Sequence, residues 1–99
     1  PVWLRFKGGK GIAVFLGILF GFSIKLALLF IICWSLILYL TKYSSVSSLV
    51  STGVIFLYSI YLNNFLGSVF FFIILIIVIY THRVNIVRLR NKTENKINF

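Results

Sequence analysis

Apolar and polar positions along this chain alternate in long blocks. Four apolar blocks run from about Gly11 to Phe22, Leu26 to Leu40, Val46 to Leu62 and Phe65 to Tyr80, and the interruptions between them read SIK, TKYSS and NN. A helix rises about 1.5 Å per residue, so blocks of about 15 to 17 residues cover about 23 to 26 Å, enough for a bilayer core when interfacial residues help. The pattern predicts an all-α polytopic membrane domain. Its spans are placed at about 11–23, 25–41, 46–62 and 65–80, between a loop at 1–10 and a tail at 81–99. The first block is short. It reads either as a separate short helix or as the start of one long helix from Gly11 to Thr41 that would carry Lys25 into mid-membrane.

Charge separates these alternatives. Four spans bring both termini and the TKYSS loop to one face, which then holds Arg5, Lys7, Lys10, Lys42, Arg83, Arg88, Arg90, Lys92 and Lys96 against Lys25 alone on the other. Three spans would strand Lys25 in lipid at a cost of about 2.5 kcal/mol or more. Four spans with both ends cytoplasmic are therefore expected. Tyr39, Tyr43 and Tyr80 then fall near the cytoplasmic interface, and Tyr58 and Tyr61 near the outer one.

Composition agrees with a lipid setting. Of 99 residues, 61% are hydrophobic and 11% charged, with ten Lys and Arg against a single acid, for a net charge of +9. A soluble domain has roughly a quarter of its residues charged. The positive charges lie at the margins of apolar blocks and make no basic face, so nucleic acid is not the expected partner. Cys33 stands alone inside an apolar block as a small hydrophobe. GILFG, Gly17 to Gly21, has the small-xxx-small spacing of close helix packing. The chain begins at Pro1 and contains no Met, so an upstream part is expected.

Two polar stretches carry candidate chemistry. RFKGGKGIA, Arg5 to Ala13, puts Gly8, Gly9 and Gly11 with Lys7 and Lys10 at the mouth of the first span. Glycines before a helix N-terminus let an anion approach unpaired backbone N–H groups, and the lysines add full charges, so the stretch reads as a phosphate cradle or as a positive membrane anchor. It does not meet the GxxxxGK[ST] pattern, and the chain has no Asp to manage Mg²⁺. The second stretch is YTHRVNIVRLRNKTENKI, Tyr80 to Ile97, with the only histidine, His82, and the only acid, Glu94. Val84, Ile86, Val87 and Leu89 suit a short interfacial helix, with Arg83, Arg88 and Arg90 toward water or phosphate. The four-span topology brings both stretches to one face.

FKGGKGIA at Phe6 to Ala13, followed by THRVNIVRL and TE between Thr81 and Glu94, resembles the second and third motifs of the bacterial acyl-phosphate-dependent glycerol-3-phosphate acyltransferases, the PlsY family. The resemblance covers essentially the whole chain. It implies the C-terminal part of a seven-span enzyme of the bacterial cytoplasmic (inner) membrane, lacking three spans and a first motif whose Ser and basic residue the family also uses. Lys7, Gly8, Gly9, Lys10 and Gly11 would hold the phosphate of glycerol 3-phosphate. His82 and Asn85 would stand at the reaction, with Glu94 supporting the site. Val84 stands where the family typically has Glu, Lys92 where Gly is common, and Val14 where Thr often follows the loop.

The implied reaction moves an acyl group from a fatty acyl phosphate to the 1-hydroxyl of glycerol 3-phosphate, giving lysophosphatidate and phosphate. An acyl phosphate is already activated, so no Ser or Cys nucleophile, metal or cofactor is required. Positioning of two anions and stabilisation of charge on the carbonyl oxygen and leaving phosphate are what the protein must supply. The hydroxyl proton goes either to His82 or to the substrate's own phosphate. The fragment by itself is expected to be inactive. Two other classes compete: a small four-span exporter, disfavoured because no span holds an acid, and a structural membrane subunit in which Lys10 and His82 are dispensable.

Overall fold

The computed structural model describes residues 10–97, with side chains from residue 13 onward. The described residues form five helices and no strand, four from the apolar blocks and a short one in the tail: α1 (Lys10–Phe22), α2 (Ile24–Thr41), α3 (Ser44–Tyr61), α4 (Phe65–Thr81) and α5 (Arg83–Arg90). Of these, α2 and α3 are each long and apolar enough to cross a membrane, and α4 meets the same measure only together with α5, from which it is bent by 61°. At 13 residues α1 is about 20 Å long, so it falls short of a full span.

The first break decides between the two readings of the first block. Ser23 is extended (φ −167°) and its side chain accepts from the N–H of Leu26 at 3.5 Å, so α2 starts anew there. Lys25 therefore lies exposed in the first turn of α2 and is not stranded in mid-helix. Phe15 and Phe30, on either side of this break, meet edge-to-face at 5.3 Å, so α1 folds back along α2. Phe15 also meets Phe71 of α4 at 6.1 Å, and Phe22 lies 5.4 Å from Phe70. The four apolar helices thus run up and down around a core of Phe15, Leu19, Ala27, Phe30, Ile55, Phe71 and Val78. Each aromatic pair contributes about 0.5 to 1.5 kcal/mol, which matters where lipid outside is as apolar as the core inside.

The turns have local causes. At Asn63 (φ 57°) the N–H donates to Ile60 O at 2.9 Å and that of Asn64 to Ser59 O at 3.2 Å, a Schellman motif whose left-handed position Asn tolerates. Asn64 then caps α4, accepting from the N–H of Gly67 at 2.9 Å. A Cβ at position 67 would come within 2.8 Å of the Asn64 side chain, so the cap needs glycine there.

The GILFG expectation fails among the described residues. A Cβ at Gly17 or Gly21 would meet nothing within 4 Å, because α1 turns Phe15 and Leu19 inward and leaves the glycine face open. Close helix approach falls instead to α3, whose Ser45, Ser47, Ser48, Ser51, Thr52 and Ser59 are all buried. Most of these hydroxyls satisfy themselves on the helix, as Ser47 does on Tyr43 O at 3.1 Å and Thr52 on Ser48 O at 2.7 Å. Trp34 of α2 donates its Nε1–H to Ser48 Oγ at 3.2 Å.

Candidate active site

The up-and-down order puts the start of α1, the α2–α3 turn and the end of α4 at one end of the bundle. Lys7, Gly8 and Gly9 lie outside the described residues. Lys10 and Gly11 open α1, so a helix N-terminus with its unpaired N–H groups directly follows the glycine pair.

His82 stands at the corner between α4 and α5 and is 3% exposed. Its Nδ1 is 2.9 Å from Val78 O, an atom that can only accept. A bare nitrogen lone pair facing that oxygen would be repelled, so Nδ1 carries a proton and donates. Nε2 is buried with no hydrogen-bond partner among the described residues. Thr81 Oγ1 holds the same corner, donating to Val78 O at 3.0 Å.

From that corner α5 runs for two turns. Asn85 and Leu89 are half-buried, one helical turn apart on the inner side, while Val84, Ile86, Val87, Arg83, Arg88 and Arg90 are exposed. The Arg83 guanidinium lies over the Tyr80 ring at 4.2 Å. A second Schellman motif ends α5: Lys92 N–H donates to Leu89 O at 3.2 Å and Thr93 N–H to Arg88 O at 2.7 Å. Lys92 takes the left-handed position at φ 59°, where a Cβ is unfavourable. The turn reverses the chain and carries Glu94 back beneath α5.

Glu94 is the hub of the site. Its Oε2 accepts from Asn85 Nδ2 at 2.8 Å and from Ser45 Oγ at 3.0 Å. Its Oε1 accepts from the N–H of Asn95 at 3.2 Å and lies 3.9 Å from Arg88 Nη1. The side chain is only 5% exposed, so its charge is sustained by three hydrogen bonds and a half-exposed guanidinium. An ionised carboxylate can only accept, so Asn85 must turn its NH₂ toward Glu94 and its carbonyl Oδ1 away.

Asn85 and Glu94 are thus brought together, as their common motif suggests, and His82 lies three residues before Asn85 on the same buried side. The chain reading missed Ser45, placed in the interrupting TKYSS stretch. A signal was present: hydroxyl residues at 44, 45, 47, 48, 51 and 52 recur at helical spacing from the TKYSS interruption into the apolar block that follows it. Among the described residues no group of three His, Cys, Asp or Glu side chains lies close enough to hold a metal ion.

Known proteins resemble this chain over nearly its whole length. A family model described as glycerol-3-phosphate acyltransferase matches residues 1–92. The chain belongs to the glycerol-3-phosphate acyltransferase family. It is 49% identical over 96 residues to a protein of that name from Pelagibacter ubique, covering 97% of this chain and 50% of the relative. A protein of the same name from Ehrlichia ruminantium is 45% identical over 98 residues, and one from Anaplasma marginale 42% identical over 97. In these two the match covers 99% and 98% of this chain, and 50% and 49% of the relatives. The chain thus spans about half the length of the curated glycerol-3-phosphate acyltransferases it matches. No solved structure matches.

Proposed function

We propose that this chain is the C-terminal part of a seven-span bacterial inner-membrane enzyme that transfers a fatty acyl group from acyl phosphate to glycerol 3-phosphate in phospholipid synthesis. The observation that carries the reading is the buried Glu94 carboxylate holding Asn85 at the end of the bundle where the glycine-lysine stretch enters α1. In the four-span reading of the sequence nine of the ten cations share one face, which supports a cytoplasmic site.

In this mechanism Lys7 and Lys10, with the backbone N–H groups from Gly8 to Gly11, bind the phosphate of glycerol 3-phosphate. Asn85 presents Oδ1 to the substrate's 1-hydroxyl and orients it. The hydroxyl oxygen bonds to the acyl carbonyl carbon, the bond from that carbon to the bridging phosphate oxygen breaks, and inorganic phosphate leaves. Because His82 Nε2 is covered by protein, the hydroxyl proton passes to the substrate's own phosphate, and His82 holds the α4–α5 corner. Glu94 keeps Asn85 in place and takes no part in bond making.

The test is formation of lysophosphatidate from labelled glycerol 3-phosphate in membranes holding the complete protein, supplied separately with acyl phosphate and acyl-CoA. Product with acyl phosphate alone supports the reading. Product with acyl-CoA alone replaces the donor, and no product with either returns the chain to a structural membrane subunit.

A further inference from the structure

The buried hydroxyls of α3 do not all behave alike. Ser47, Ser48 and Thr52 donate to carbonyls one turn back on their own helix, at Tyr43, Ser44 and Ser48. Ser45, one residue into α3, instead donates to Glu94, 49 positions along the chain. Two further contacts join the same short segments. Ile97 N–H donates to Lys42 O at 2.8 Å, and Lys96 Nζ lies 5.5 Å from the centre of the Tyr43 ring. Residues 94–97 are therefore strapped onto the α2–α3 turn, and Ser45 is the point where this strap meets the site.

We propose that Ser45 is a positioning residue for acyl transfer, acting through Glu94 on Asn85; the proposal rests on the acyltransferase reading above. Oε2 of Glu94 receives both Ser45 and Asn85, so the serine hydroxyl occupies one side of that oxygen and confines the amide to the other. Arg88 competes for the carboxylate from the exposed side but stands off at 3.9 Å, longer than a direct charged hydrogen bond. Without the Ser45 hydroxyl the carboxylate is free to swing onto Arg88, and the Asn85 amide loses both its partner and its fixed plane. Oδ1 of Asn85 then no longer faces the substrate in one orientation. The helix N-terminus behind Ser45 also favours an anion at this place, so the hydroxyl acts within a field that already suits a carboxylate.

The experiment uses the complete protein in membranes, with acyl phosphate as donor, and compares Ser45→Ala, Ser45→Thr and Ser48→Ala in kcat, in KM for glycerol 3-phosphate and in thermal unfolding. Ser45→Ala is expected to lower kcat by about 10- to 100-fold while KM, set by the glycine-lysine stretch, changes by less than about twofold. Ser45→Thr keeps the hydroxyl and restores kcat to within about threefold of the parent. Ser48→Ala removes the partner of Trp34, so it lowers the unfolding temperature and leaves kcat of the folded protein unchanged. The proposal is overturned if Ser45→Ala turns over like the parent, or if its loss equals that of Ser48→Ala and follows the folded fraction. A parent protein that makes no lysophosphatidate with any donor overturns the acyltransferase reading itself, and Ser45 then has no reaction to serve.

Discussion

Asn85 and Glu94 lie nine positions apart, on either side of the Schellman turn at Lys92, and join through a 2.8 Å hydrogen bond that fixes which end of the amide points outward. That bond separates two substitutions. Asn85→Ala is expected to reduce turnover by at least about 100-fold with modest loss of stability. Asn85→Asp sets a second carboxylate against Oε2 and is expected to cost about 1 to 3 kcal/mol of stability as well. Unfolding and turnover measured on both variants check the difference: equal stability would mean that the Glu94 contact is not made in the working protein.

Lys92 occupies a left-handed position that disfavours a side chain. Lys92→Gly removes about 1 kcal/mol of local strain and is expected to raise stability by about that amount. A denaturant titration in detergent reads the gain. A loss on substitution would show that the Lys92 side chain has a compensating partner.

His82→Gln tests where the proton goes. With the substrate phosphate as acceptor, the loss in kcat is expected to stay below about 100-fold, the low end of what a general base contributes. A larger fall in kcat at unchanged KM would make His82 Nε2 the base and would require the α4–α5 corner to open during turnover.

Lys10→Ala is expected to weaken the phosphate cradle, raising KM for glycerol 3-phosphate by about 10-fold or more, and Lys10→Arg to recover part of it. Steady-state kinetics in the complete protein decide this. An unchanged KM in Lys10→Ala would reduce Lys10 to a membrane anchor.

Gly67→Ala is expected to cost about 1 kcal/mol, because the new methyl displaces the Asn64 cap from α4. Asn64→Ala should cost a similar amount, and the double variant little more than either. Additive losses measured by thermal unfolding would break the link between the two residues.

Much of the helical architecture was legible in the chain because polar interruptions in apolar blocks have few physical solutions. Ser23 and Lys25 announced the first break, and NN the one between α3 and α4. The pairing of Asn85 with Glu94 was legible only through resemblance, since a single acid in a basic tail has no obvious partner by spacing. Ser45 escaped because a serine at the mouth of an apolar block looks like an interfacial residue; only the reversal of the chain at Lys92 gives it a carboxylate. Gly17 and Gly21 misled for the opposite reason. Small-residue spacing says that close approach is allowed on a face, and α1 turned its aromatic face inward instead.

The hydroxyl-rich inner side of α3 also bears on how the protein is made. α3 is less apolar than α2, and much of its polarity is hidden only when α2 and α4 stand beside it. A helix of that kind gains little by leaving a translocon alone. Insertion of α3 together with α2, as a hairpin through the Lys42 turn, would cover those hydroxyls as the helix enters lipid, so that assembly of the serine-lined interior and insertion would be one step.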